Sequence, residues 1–268
     1  MTTKLGVFYT CFTEKKAVEY SLHELFKHYP NIPVYLVSDG GSDYSFLKER
    51  FPNKNIETKL EEDTRGIIAV IDRSKEYYSN KNKNIMLHAV KSFIKRLSDA
   101  IDYCKTDYLL VMEPDVLVRG KININKNAKF LGSRVNQGIN KNLINYMSNY
   151  EGAIPVNNWG ATPALFKTSE FKKIITLLKN DEKLLEKIYL LEHRFPYYDL
   201  MFAILFGFIG VKEEFNPDIT ECFRDRSWQT NNKPLLHQFR KYYPSKQEHK
   251  SMYSTQDHEK LTNHFKNT

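Results

Sequence analysis

Residues Thr106 to Gly120 read TDYLLVMEPDVLVRG, an apolar run of strand length that ends in two carboxylates separated by one proline. Tyr108 to Met112 is uninterrupted apolar sequence, the pattern of a central parallel strand covered on both faces. Pro114 has no amide hydrogen to give to a ladder, so it suits a strand end rather than a strand middle. Glu113 and Asp115 then fall just past the strand, at the carboxyl edge where open α/β sheets bind ligands. Two anionic side chains held so close repel each other unless a cation neutralises them, and hard oxygen ligands suit Mg2+ or Mn2+. A polar turn after a buried strand is the plain alternative, and this stretch alone leaves both readings open.

The helix leading into that strand is the clearest in the chain. Between Ile85 and Cys104, the apolar residues Leu87, Val90, Ile94, Leu97 and Ile101 step by three and four. Arg96 and Lys91 fall on its polar side, where such charges are ordinarily solvated. Further upstream, Leu5 to Cys11 reads as a first strand, and Thr13 is placed to cap a helix that buries Val18, Leu22, Leu25 and Phe26. Pro33 to Ser38 makes a second strand and Ile56 to Leu60 a third, at an edge. Strand, helix and strand joined by short connections form the unit of a parallel sheet. The second strand runs into Ser38-Asp39-Gly40-Gly41, where glycines admit a positive φ and let a ligand approach the backbone. Asp39 is placed there to accept hydrogen bonds from a nucleobase or ribose, or merely to cap a helix beginning near Tyr44.

Downstream of Gly120 the chain is rich in Asn and Lys as far as Tyr150, with strand and helix signals mixed, which fits a substrate loop or a surface insertion. Asn157-Asn158-Trp159-Gly160 precede a strand-like run from Ala161 to Phe166; Trp159 beside Gly160 forms either a stacking surface for a sugar or core filling. Ser169 is expected to cap a helical region that reaches Leu191 with a break near Asn180-Asp181. Asp199 precedes an apolar helix and reads as a charge at a helix N-terminus or as a general base. Val211 to Phe215 is expected to be the last strand. A group containing His237, Arg240 and Lys241 follows the short apolar anchor at Leu235 and Leu236.

Composition narrows the class. A chain of 268 residues with 17 Tyr and 17 Phe has ample material for one large core. Its 40 basic and 32 acidic side chains leave a net charge of +8, which favours an anionic ligand. Cationic residues are dispersed without interleaved aromatics, so a nucleic-acid partner is not expected. Three widely spaced cysteines, Cys11, Cys104 and Cys222, match neither a zinc site nor paired disulfides and suit a reducing compartment. The N-terminus lacks a signal-peptide pattern, and Leu200 to Val211 is too short to span a bilayer, so no transmembrane segment and a cytoplasmic location are expected. Without a repeat or linker, one α/β domain with a mostly parallel sheet is expected over residues 1–244, followed by a polar extension at 245–268.

Taken in order, the turn at Ser38-Asp39-Gly40, the strand ending in Glu113-Pro114-Asp115, the turn at Asn158-Trp159-Gly160-Ala161, Tyr198-Asp199, and the His237 to Lys241 group resemble the nucleotide-sugar glycosyltransferases of the GT-A fold. The resemblance covers roughly residues 3 to 243 and implies a single Rossmann-like domain. It also implies transfer of a sugar from a nucleoside-diphosphate donor, UDP-linked or GDP-linked, to the hydroxyl of a glycan or other acceptor, with Mn2+ or Mg2+. Carried over by position, Asp39 would contact the donor's nucleoside, Asp115 the metal, and Glu113 the metal or donor ribose. Glu113 stands where the family's Asp-x-Asp motif begins, which keeps the charge and changes the reach. Trp159 and Gly160 would line the place where donor sugar and acceptor meet, and Asp199 would be the catalytic base of an inverting enzyme. His237 would be a late metal ligand, and Arg240 or Lys241 would hold the diphosphate. Two other readings share the core. A nucleotidyltransferase that makes sugar nucleotides usually carries a Gly-rich loop after the first strand, and YTCFTEKK has no glycine. A non-catalytic nucleotide- or carbohydrate-binding protein is the other.

Overall fold

A computed structural model describes residues 3–11, 15–39, 41–61, 83–132, 138–156, 163–192, 198–221 and 232–237, with backbone only at 83–86, 198–199 and 221. Strand β1 (Leu5–Cys11) leads past helix α1 (Lys15–His28) to β2 (Val34–Ser38), and α2 (Phe46–Arg50) precedes β3 (Ile56–Leu60). Helix α3 (Lys83–Cys104) delivers the chain into β4 (Tyr108–Met112). Then come β5 (Leu117–Val118), β6 (Phe130–Gly132), α4 (Lys141–Met147) and β7 (Leu165–Lys167). Helices α5 (Thr168–Asn180), α6 (Leu184–Leu191) and α7 (Tyr198–Phe208) follow, and then β8 (Glu214–Phe215), β9 (Ile219–Glu221) and β10 (Leu235–His237).

Seven strands form the main sheet in the order β3-β2-β1-β4-β7-β6-β8, and β5-β10-β9 form a smaller one. Strands β3, β2, β1 and β4 are mutually parallel, β7 runs antiparallel to β4 and β6, and β8 is parallel to β6. Thus β4 is central, as its apolar run implies, although only one of its two neighbours is parallel. The chain moves outward from β1 to β2 and β3, then returns through α3 to the opposite side of β1. That reversal opens a crevice between the carboxyl ends of β1 and β4, the switch point of an open α/β sheet.

The period of two along β1 divides the core into two layers. Val7 and Tyr9 join the apolar residues of α1, including Leu22 and Leu25, while Phe8 faces Phe93 of α3 with ring centroids 5.9 Å apart. Gly6 lies where α3 comes closest, since a Cβ there would stand 2.7 Å from Cys104 Cβ. Helix α7 is apolar all round because it is enclosed: Phe206 stacks on Phe130 at 4.4 Å, and Phe202 lies against Phe166 and Phe171.

Several local expectations are corrected. Lys167, not Ser169, occupies the position before α5, and Thr168 Oγ1 is drawn into a hydrogen bond to the Thr106 carbonyl at 2.7 Å. The interruption after Asn180 stands as expected, with Asp181 Oδ1 accepting from Lys183 N at 3.1 Å. The strand expected at Val211 to Phe215 is only Glu214–Phe215, and β9 and β10 follow it. Within the Asn-rich region, Asn140 caps α4 by accepting from Asn142 N at 2.9 Å. No helix among the described residues is long and apolar enough to cross a membrane.

Candidate active site

The register of the parallel strands brings the acidic residues to one edge. Cys11 lies opposite Ser38 and Tyr9 opposite Met112, so Asp39 and Glu113, which follow β2 and β4, flank the end of β1. The Asp39 N–H donates to the Cys11 carbonyl at 2.8 Å, which holds the start of the turn against β1. Asp39 is only 4% exposed. Its Oδ2 accepts from Thr10 Oγ1 at 2.9 Å, and its Oδ1 accepts from Arg96 Nη1. Burial pushes the Asp39 carboxyl above its ordinary range, while Arg96 and Thr10 pull it back. A carboxylate has about four lone-pair sites, so two bonds within the protein leave acceptor capacity for a ligand.

Arg96 corrects the reading of α3. It is 2% exposed rather than solvated, and Nη2 donates to Ser92 Oγ at 3.2 Å. Its Nε is buried without a hydrogen-bond partner among the described residues. Sequence reasoning placed this residue on the polar side by its type. The positional signal was present, because Ala89, Phe93 and Ala100, at helical spacing from Arg96, are all buried.

The second acidic element is a tight turn. Val116 N donates to the Glu113 carbonyl at 2.9 Å, with Pro114 at the turn's second position, where its fixed φ is favoured. Glu113 is half-buried, whereas Asp115 is 7% exposed and its Oδ1 has no hydrogen-bond partner among the described residues. An unpartnered buried carboxylate oxygen is costly in isolation, and a cation relieves that cost. Helix α1 supports the turn through Ser21, whose Oγ donates to the Val116 carbonyl at 2.9 Å.

Strand β10 runs antiparallel to β5 with Leu236 opposite Leu117, a register that carries His237 to the level of Val116, next in sequence to Asp115. Even so, no three His, Cys, Asp or Glu side chains gather as a metal-binding group among the described residues. Glu113 and Asp115 share the turn, and His237 reaches its neighbourhood without completing a protein cage. This donor set still fits Mg2+ or Mn2+, since such ions are typically held by one or two carboxylates, substrate phosphates and water. Asp199 stands in the first turn of α7, where only its backbone is described. Trp159, Gly160, Arg240 and Lys241 lie outside the described residues.

No protein-family model matches the sequence, and no curated protein matches it either. Solved structures do match, and they define the fold as that of the GT-A glycosyltransferases. The galactosyltransferase LgtC, solved in complex with donor and acceptor sugar analogs, aligns with 97% of this chain and 95% of its own, at 15% identity and a TM-score of 0.57. Core-mannan synthase A (CmsA/Ktr4) from Aspergillus fumigatus, in a Mn/GDP form, aligns with 80% of this chain and 73% of its own, at 8% identity and a TM-score of 0.51. The glycosyltransferase GlyE of Streptococcus pneumoniae TIGR4 matches at 10% identity and a TM-score of 0.43, and this chain spans 55% of its length.

Proposed function

We propose that this chain is a glycosyltransferase that moves a sugar from a nucleoside-diphosphate sugar to an acceptor hydroxyl, with a divalent ion held at Asp115 and Glu113. The observation that carries this reading is the buried, unpartnered Asp115 Oδ1 at the sheet's switch point, across the end of β1 from Asp39. The shared fold with LgtC and CmsA/Ktr4 supports it, as does the net charge of +8, which favours a diphosphate. A UDP-sugar is the first donor class and a GDP-sugar the second, with a glycan or other hydroxyl compound as acceptor.

Displacing a nucleoside diphosphate from the anomeric carbon develops negative charge on the leaving oxygen. Mn2+ or Mg2+, when bound, neutralises that charge. Asp39, fixed by Thr10 and Arg96, orients the nucleoside at the end of β2, and Asp115 with Glu113 presents the oxygens that face the diphosphate. By the resemblance, Trp159 and Gly160 serve the place where donor sugar and acceptor meet. His237 contributes a late ligand, and Arg240 and Lys241 hold the departing diphosphate. Where Asp199 takes the proton from the acceptor hydroxyl, attack from the face opposite the leaving group inverts the anomeric centre; without Asp199 as base, a retaining course is the alternative.

Incubation with UDP-glucose, UDP-galactose, UDP-GlcNAc or GDP-mannose, in Mn2+ or in EDTA, tests this reading. Metal-dependent release of a nucleoside diphosphate is the expected result, and its loss in Asp115→Ala together with metal-dependent donor binding locates the site. Pyrophosphate formed from a sugar phosphate and a nucleotide would identify a nucleotidyltransferase instead. Donor binding without turnover would identify a non-catalytic binding protein.

A further inference from the structure

Helix α1 touches the acidic turn through one polar side chain, and the consequence depends on where along the turn that contact falls. Ser21 is 1% exposed within the apolar layer between α1 and the sheet, an environment in which a hydroxyl is stable only when hydrogen-bonded. Its partner, 95 positions away in sequence, is the carbonyl of Val116, the residue directly after Asp115. The same carbonyl-bearing residue closes the turn through its N–H to Glu113, so the peptide units on both sides of Val116 are fixed. A second tie lies further along the same segment, where Tyr29 Oη, just past the end of α1, accepts from Ile122 N at 2.6 Å. The chain from Val116 to Ile122 is therefore pinned at its two ends, by Ser21 of α1 and by Tyr29 just past it, and only the Ser21 end adjoins the carboxylates.

We propose that Ser21 is a positioning residue for the metal site, holding Asp115 in the orientation that presents its unpartnered Oδ1. This rests on the functional reading above and extends it to a residue on a separate element that touches neither ligand nor metal. Replacing Ser21 by Ala removes the only hydroxyl that reaches the Val116 carbonyl from α1 among the described hydrogen bonds and leaves that buried acceptor one bond short. The turn gains freedom to rotate, and Asp115 must be reoriented each time a cation binds. Outer hydrogen bonds of this kind typically control about tenfold or more in metal affinity. Tyr29→Phe is the matched control, since it removes a comparable tie at the end of the segment remote from Asp115.

The test is a Mn2+ titration followed by the electron paramagnetic resonance signal of free Mn2+, with UDP present and no acceptor, alongside thermal unfolding of each variant. Ser21→Ala is expected to bind Mn2+ about tenfold more weakly than the unaltered chain. Tyr29→Phe is expected to lose thermal stability while keeping the Mn2+ affinity of the unaltered chain. Equal Mn2+ affinity in Ser21→Ala and the unaltered chain overturns this inference alone, with the metal reading intact. Equal weakening in both variants also overturns it, since the effect would then be general loosening of the segment. Absence of Mn2+ binding by the unaltered chain overturns the metal reading together with this inference.

Discussion

Asp39, at the end of β2, and Arg96, on α3, form a buried ion pair across 57 positions of sequence. Each brings a second contact from its own surroundings: Thr10 on β1 for the carboxylate, Ser92 one helical turn back for the guanidinium. The pair thus joins β1, β2 and α3 at the edge where β4 also ends. It fixes the part of the crevice assigned to the nucleoside, and it leaves the buried Arg96 Nε–H without an acceptor among the described residues.

Removing the guanidinium strands a buried carboxylate. Arg96→Met is expected to cost about 3–5 kcal/mol near neutral pH, the usual penalty for leaving one partner of a buried pair charged. Burial already holds the Asp39 carboxyl above its ordinary value of 3.8, and losing Arg96 raises it further. A carboxyl raised in the folded state contributes stability that is fully present below its unfolded value and is lost as pH rises through the folded one. The deficit of Arg96→Met is therefore greatest at neutral pH and shrinks as the solution is acidified. Urea unfolding near neutral pH and at about pH 4.5 reads this out, and a deficit independent of pH would contradict it.

The main sheet's first half was legible because its strands are apolar runs bounded by turn residues. Leu5–Cys11, Ile56–Leu60 and Tyr108–Met112 have the bounds read from sequence. The second half, β7, β6 and β8, was less so, because these strands have only two or three residues, too short to show a period of two, and the same holds for β9 and β10 of the smaller sheet. At the candidate site, Asp39 and Glu113 were legible as edge residues because each follows directly on a strand, and Asp115 because it closes the proline turn just beyond. Thr10 and Ser21 were not, since their types give no sign of burial until the partner is known, and Arg96 was set aside by its charge although the apolar residues at helical spacing from it mark a buried face. The structural roles assigned to Trp159, Gly160, Arg240 and Lys241 concern positions outside the described residues, and they rest on the resemblance alone.

Asp199→Asn separates proton transfer from binding. The amide keeps the size of the side chain and removes its basicity, so turnover is expected to fall about a hundredfold or more, the range of general-base catalysis. Donor affinity, which the proposal assigns to the edge at Asp39 and Asp115, is expected to stay the same. Single-turnover assays with a fixed donor, together with calorimetric titration of UDP, measure the two quantities separately. Full activity in the variant would remove Asp199 from the role of base.

Cys104 is predicted to be chemically silent in the folded protein. Burial pushes its thiol up to about 12, because an apolar setting at the end of α3 disfavours the thiolate. Near neutral pH the reactive form is scarce and alkylating reagents have no access to it. Mass-spectrometric mapping after iodoacetamide treatment is expected to find Cys104 unmodified in buffer and modified in concentrated urea. Labelling at Cys104 under native conditions would show that α3 separates from β1 in solution.

Gly6 offers a test of the packing that carries α3 toward the site. An added Cβ would stand 2.7 Å from Cys104 Cβ and 2.8 Å from Thr106 Oγ1, closer than real Cβ atoms come to such neighbours. Both contacts belong to the end of α3 and the connection into β4, and Thr106 Oγ1 is already engaged, donating to the Tyr108 carbonyl at 2.9 Å. The helix end must therefore shift away from β1 or the strand must bend, and overpacking of this kind costs about 1–3 kcal/mol. Gly6→Ala is expected to lower the urea midpoint accordingly. Because the displaced helix also carries Arg96, the variant is further expected to weaken UDP binding, whereas a cavity variant of the remote α7 layer such as Phe206→Leu should lower stability alone. Unchanged UDP affinity in a destabilised Gly6→Ala would show that the Asp39–Arg96 pair absorbs the shift.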